Sequence, residues 1–306
     1  MTIVKYPQAE ISNGLINARM YLPDSLNGFS QGTRFDYSGN IESLVYKGHN
    51  YFGKWFKVYD PKSHESVMGP SEEYAPLDYN ETNPGGSFVK IGVGVLSKPD
   101  DKPYTFSRTY PVLNYGKWKV KKQADQIKFI HELKDPAYSY QYEKTVKLTK
   151  DKPEMVIIHT LKNTGKRTIE TSGYNHNFFM LDKQPIGPGY TVKFPFKLNG
   201  EGTDFGVLAE MKGNEIGYLR NLVNNETVYC GALGGFGTGK EDYDIRIENS
   251  NAGAGVRITC DKPLMKLAFW CCTTTLCPEP YVKITVDPGQ EFSWTITYNF
   301  YTLPEN

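Results

Sequence analysis

"YVKITVDPGQEFSWTITYNFY", residues 281–301, alternates apolar and polar side chains on both sides of Asp287-Pro288-Gly289-Gln290. A period of two sends successive side chains to opposite faces of a strand, and Pro-Gly is turn chemistry, so the stretch reads as a β-hairpin. The pattern recurs in "YDIRIENSNAGAGVRITC" (243–260), in "EISNGLINARMYL" (10–22) turning at Asn13-Gly14, and in "MVIIHTLKNTGKRTIETSGY" (155–174) turning around Asn163 to Lys166. Further strands are expected at "FVKIGVGVL" (88–96), "WKVKKQ" (118–123), "IKFIHEL" (127–133) and "YSYQYEKTVKL" (138–148). No long segment carries an apolar period of 3.6. The expected fold class is therefore all-β, with long antiparallel strands stacked as a sandwich or barrel. A chain of 306 residues can bury a large core, and no linker or repeat divides it, so residues 1–306 are expected to form a single domain. The longest break in the pattern, Lys57 to Gly86, reads as a loop of the kind that often carries function.

Lys and Arg number 35 against 34 Asp and Glu, which leaves no positive field for nucleic acid or an anionic membrane. Aromatic residues at 14%, 22 of them tyrosine, suit strands and also a sugar site, where flat rings cover pyranose faces. The start, "MTIVKYPQAEISNG", lacks the apolar run of a signal peptide, and no stretch is long and apolar enough to span a bilayer. The chain reads as soluble and cytoplasmic, or periplasmic or secreted if an export signal was trimmed. Cys271, Cys272 and Cys277 in "CCTTTLC" lack tetrahedral zinc spacing, and no histidine pair has metal spacing, so neither metal nor cofactor is expected. "GGFGTGKE" (234–241) approaches a phosphate-binding P-loop but ends on Glu241 and runs into a strand, which makes it a glycine-rich turn. His131 and His159 lie inside strand patterns and read as structural, while His49 and His64 lie in loops.

Two stretches concentrate the chemistry. "GYNHNFFMLDKQ" (173–184) sets His176 between Asn175 and Asn177, in a chain with only 5 histidines. Towards the C-terminus, "LAFWCCTTTLCPEPYVKITVDPGQEF" runs from an apolar strand into a turn that holds Glu279 between Pro278 and Pro280, whose rings fix the backbone. Taken singly, the histidine is equally a polar strand end and the glutamate equally an exposed turn residue. Taken together they are a general acid and a general base.

"NHNFF" (175–179) resembles the Asn-His-x-Tyr/Phe-Phe motif of the aldose 1-epimerases, the galactose mutarotase family. "CPEPY" followed by "DPGQEF" is similar to that family's C-terminal glutamate segment. "GTRFDYSGNIESLVYKGHNYF" (32–52) is similar to its N-terminal segment, where an arginine after a glycine-containing turn faces the sugar. The order of the three extends over nearly the whole chain. The resemblance implies a large antiparallel β-sandwich of the galactose mutarotase type, the supersandwich, and an enzyme that interconverts the α and β anomers of a hexose. It implies Glu279 as base on the C1 hydroxyl and His176 as acid toward the ring oxygen, across the anomeric centre, with Arg34, Lys90 and Asn175 on the substrate. The chemistry asks for little else, since ring opening needs one proton removed and one supplied.

Lys90 stands where better-known mutarotases carry a second histidine. A lysine there would meet a hydroxyl or an anionic group, and with Arg34 and Arg108 it would accept a phosphate, so a hexose phosphate is an alternative substrate. The family's sugar-binding aspartate matches no motif, and Asp182, Asp204 and Asp244 are all candidates. Arg34 has the alternative of an ion pair with Asp36. Two other classes stay open: a non-catalytic carbohydrate-binding domain, and a glycan lyase or hydrolase. Hydrolysis calls for two close carboxylates, and the sequence marks only Glu279.

Overall fold

The computed structural model describes residues 6–304. Among them the regular structure is strand, with two short 3-10 turns and no α-helix. Two large sheets dominate, and both are antiparallel throughout. In the ten-stranded sheet one block runs Lys117–Lys122, Gln126–Leu133, Tyr140–Leu148, Glu154–Asn163. A second block is built from strands between Tyr190–Lys193 and Ala254–Cys260. The last strand, Glu291–Thr302, joins them by pairing with Glu154–Asn163 on one edge and Ala254–Cys260 on the other. The five-stranded sheet runs Thr227–Cys230, Lys266–Cys272, Leu276–Val286, Ile169–His176, Ser71–Tyr74. The inward faces of the two sheets meet in one apolar cluster, with Ile157, Leu161, Ile296 and Tyr298 from the large sheet and Ile169, Val282 and Ile284 from the small one. Each such side chain stabilises the fold by roughly 1.5–3 kcal/mol. The molecule is thus a β-sandwich, as the alternating pattern predicts. No helix among the described residues is long and apolar enough to cross a membrane.

Two expected hairpins prove to be crossings between the sheets. The strands flanking Asp287–Gln290 belong to different sheets, and so do Glu154–Asn163 and Ile169–His176. The turn chemistry is as read, with Gly289 in the left-handed region at φ 81°, but the chain leaves one sheet and enters the other. The two crossings lie side by side and are tied by buried Asn163. Its backbone N–H donates to the Gln290 carbonyl at 2.9 Å and its carbonyl accepts from Gly289 at 2.9 Å. Its side-chain amide donates to the carbonyls of Arg167 and Val286, each at 2.8 Å. Asn163→Ala strands those carbonyls and is expected to cost roughly 2–3 kcal/mol, read as a lower urea midpoint at unchanged slope.

Residues 10–22 and 243–260 do form hairpins, with Ser12 opposite Asn17 and Asn249 opposite Ala254. "FVKIGVGVL" divides into Ser87–Lys90 and Gly94–Ser97 around a turn. Within the expected loop 57–86 lies an unexpected strand, Ser71–Tyr74, with all four residues buried. The glycine-rich 234–241 stretch ends in one short 3-10 turn, Lys240–Asp242, before the strand Asp244–Asn249.

Candidate active site

The small sheet positions the two reactive side chains on adjacent strands. Ile169–His176 and Leu276–Val286 pair from Ile169 opposite Val286 up to Tyr174 opposite Tyr281, and there the ladder ends. Pro278 and Pro280 lie inside the strand, not in the expected turn, and pair on their other edge with Lys266–Cys272. The ladder to the histidine strand has already opened, so the missing proline N–H groups break no bond there. The Asn177 amide closes the gap by donating to the Pro278 carbonyl at 2.8 Å. With a period of two, Glu279 and Tyr281 share a face with His176, Tyr174 and Ser172. That face walls a cavity of about 720 Å³.

At one end of the cavity His176 Nε2 and Glu279 Oε1 are 3.2 Å apart, with side chains only 5% and 8% exposed. The structure therefore brings together the two residues singled out in sequence, in contact with one another. The family resemblance implies that they stand on opposite sides of a sugar carbon. Two stacked rings fix the imidazole. Phe178 lies flat on it at 3.9 Å and 3°, and Trp55 lies on Phe178 at 4.9 Å and 11°. Phe178 reaches this position with φ at 36°, a left-handed backbone that is costly for an aromatic residue and common where a site is held in place. Trp270 adds its edge at 5.6 Å to both His176 and Trp55.

The environment moves the two groups in opposite senses. Burial, with the Arg34 charge nearby, holds His176 well below the ordinary histidine value, so the imidazole is neutral at pH 7. Its Nδ1 has no hydrogen-bond partner. Burial pushes Glu279 up to about 7, with Glu73 adding to the shift and Arg34 and Lys266 opposing it. Near neutrality the pair thus holds one dissociable proton on the carboxyl, beside a neutral imidazole.

Arg34 lines the cavity as expected but does not pair with Asp36. Its Nε donates to Glu73 Oε2 at 2.7 Å and its Nη2 to the Tyr174 hydroxyl at 2.8 Å. The guanidinium is clamped between Phe35 at 4.5 Å and Phe106 at 4.1 Å. Tyr174 also donates to Glu73 at 2.6 Å. Although burial would raise Glu73, Lys90 and Arg34 hold it below the usual carboxylate range.

Lys90 and Asn175 do not line this cavity. The Lys90 ammonium is fully buried and donates to the Arg34 carbonyl and the Tyr104 hydroxyl, each at 2.7 Å, and to Glu73 at 3.4 Å. The Asn175 amide turns into the sandwich and donates to Glu72 at 3.0 Å. Arg108 pairs with Asp100 at 2.9 Å outside the cavity, so the expected phosphate trio is not assembled. None of the candidate aspartates lines the cavity either. Asp182 binds His49 at 2.7 Å, Asp244 binds Arg257 at 2.6 Å, and Asp204 sits in a turn at φ 63°. Beside Glu279 the cavity holds two carboxylates, Glu73 from the unexpected strand and Glu65 from the loop before it, and that loop also contributes His64. Among the described residues no cluster of His, Cys, Asp and Glu is arranged to hold a metal.

No protein-family model and no curated protein matches the chain. Solved structures do. An aldose epimerase homologue from C. elegans aligns over 98% of this chain and 100% of its own, with a TM-score of 0.60 and 12% identity. A galactose mutarotase-like protein from Clostridium acetobutylicum aligns over 97% and 95%, with a TM-score of 0.57 and 12% identity. A galactose mutarotase related enzyme from Lactobacillus acidophilus aligns over 97% and 99%, with a TM-score of 0.57 and 11% identity.

The fold is that of the galactose mutarotase-like proteins.

At such identities the likeness concerns the fold alone, and the mutarotase-like sandwich is what carries His176 and Glu279 to one end of a cavity. What they do there follows from their own chemistry.

Proposed function

We propose that the protein is a mutarotase that interconverts the anomers of an aldose by acid–base ring opening. One observation carries this reading: a buried imidazole and a buried carboxyl touch at 3.2 Å at the end of an aromatic-walled cavity, holding one proton between them near pH 7. The C1 hydroxyl and the ring oxygen are bonded to the same carbon, so an acid and a base that are neighbours can reach both. Glu279 takes the hydroxyl proton as His176 gives one to the ring oxygen, and the C1–O5 bond breaks to leave an aldehyde. Rotation about C1–C2 presents the other carbonyl face, and the protons return. Opening starts from the tautomer with the shared proton on His176, carboxylate and imidazolium, and returns the pair to its resting form, carboxylic acid and imidazole. The walls of Trp55, Trp270 and Tyr281 cover the apolar faces of the ring, and Arg34 donates to oxygens.

Polarimetry on freshly dissolved α-glucose, α-galactose and a hexose phosphate tests the reading, and rates equal to buffer for every aldose would end it. The pH dependence tests the shared proton. kcat/KM should fall as pH rises through about 7, where Glu279 ionises and no proton remains to donate. It should fall again only well below 6.5, where His176 takes up a second proton. A rate that instead climbs through pH 7 to a plateau would make Glu279 a lone base and remove His176 as its acid.

A hydrolytic reading has one observation in its favour, the carboxylate pair Glu73 and Glu279 in one cavity with proton affinities pushed apart. Both Glu73 oxygens already face cationic partners, Arg34 and Lys90, which is the environment of a fixed counter-ion. Release of nitrophenol from a panel of nitrophenyl glycosides would favour hydrolysis.

A further inference from the structure

A second cavity, of about 750 Å³, opens beside the first. The two share Ala75, Pro76 and Tyr104 in their linings. One strand face serves both. Along Ile169–His176, residues His176, Tyr174 and Ser172 line the first cavity and Glu170 the second. At about 3.3 Å per residue the face carries a ligand roughly 20 Å from His176 to Glu170. Exposure grows in the same direction, from buried His176 and Tyr174 through half-buried Ser172 to exposed Glu170. The second cavity has its own fixed polar groups. Asp78 accepts from the Tyr138 hydroxyl at 2.8 Å and from Arg167, and the Arg167 guanidinium lies 5.0 Å over the Tyr138 ring.

We propose that the natural substrate is a neutral oligosaccharide: its reducing-end sugar lies against His176 and Glu279, and the following units pass the shared Pro76 into the second cavity. This rests on the mutarotase reading for the placement of the reducing end. The first cavity alone has the size that encloses a drug-sized ligand, roughly 300–1,000 Å³, so a single hexose has no need of the second. Tyrosine and proline surfaces beside hydrogen-bonding carboxylates and a guanidinium are the chemistry of neutral sugar rings. The acids Asp78, Glu81 and Glu170 outnumber Arg167, which disfavours uronates and sugar phosphates.

The test compares glucose and galactose with maltose, cellobiose, lactose and their trisaccharide homologues, by polarimetry for turnover and calorimetry for binding. At least one oligosaccharide should exceed its monosaccharide in kcat/KM by about tenfold, the equivalent of one or two net hydrogen bonds. Arg167→Ala combined with Glu170→Ala should abolish that margin and leave the monosaccharide rate unchanged. Equal constants for mono- and oligosaccharides, or a margin that survives the double substitution, would overturn the proposal while the mutarotase reading stood. Oligosaccharide binding that the double substitution weakens, with no turnover of any sugar, would uphold the second subsite and sink the mutarotase reading.

Discussion

Glu279→Gln is expected to lower anomer interconversion by about 10²- to 10⁴-fold and, in the same molecule, to raise stability above pH 7. The loss follows from removing a positioned proton carrier. The gain follows from where the carboxyl sits. Its side chain is 8% exposed, and burial lifts its proton affinity from the ordinary 4.5 to about 7. A raised carboxyl favours the folded state fully below pH 4.5, and that contribution is lost as pH rises through about 7. At pH 8 the native protein carries an ionised buried carboxylate that glutamine does not, a difference of roughly 3 kcal/mol. Urea unfolding at pH 4 and pH 8 measures it: the variant should match the parent at the lower pH and exceed it at the higher. A variant equally stable at both would mean that Glu279 is ionised in the fold at little cost, and the shared-proton mechanism would lose its basis.

Lys144→Met is expected to destabilise the fold by about 3–5 kcal/mol, because it leaves a charge buried without its partner. Beneath the cavity, between the sheets, Glu72 accepts from Lys144, from His159 Nε2 at 3.0 Å and from Asn175 at 3.0 Å. Lys144 and His159 are fully buried, and Glu72 is 2% exposed. Burial alone would raise Glu72, yet Lys144 and His159 hold it down to about 2. This contribution to stability is present above pH 4.5 and is lost as pH falls toward 2, the reverse of Glu279. Lys144 also donates to the Ser38 carbonyl at 2.9 Å, so methionine strands an acceptor as well. Adding Glu72→Gln to Lys144→Met should recover much of the loss, and a double-mutant cycle with no coupling would show that the two side chains do not act as a pair.

The alternation of apolar residues was enough to read the sandwich, because a half-buried strand writes its period into its own sequence. It was not enough for the strand Ser71–Tyr74. There Glu72 and Glu73 are buried, and what makes burial tolerable is charge supplied from distant segments, Lys144, His159, Lys90 and Arg34. Read locally, "SEEY" is a solvated loop. Lys90 reads as a substrate ligand for the same reason: without Glu73 in view, a strand lysine near the site looks free for substrate. The crossings at Asn163 and Gly289 read as hairpins because Asn-Thr-Gly-Lys and Asp-Pro-Gly-Gln turn a chain without saying which sheet it enters next. His176 and Glu279 were legible because each stands in an unusual short context. Their contact was not, since it depends on where one ladder ends.

The position of Glu291–Thr302 between the two blocks of the large sheet bears on how the protein is made. During synthesis each block can assemble its own neighbouring strands as it emerges, but the two remain unjoined, with open edges, until Glu291–Thr302 inserts between them. Glu279 precedes that strand, and the crossing at Gly289 links the two. A chain without Glu291–Thr302 would therefore have both halves of the large sheet without their seam.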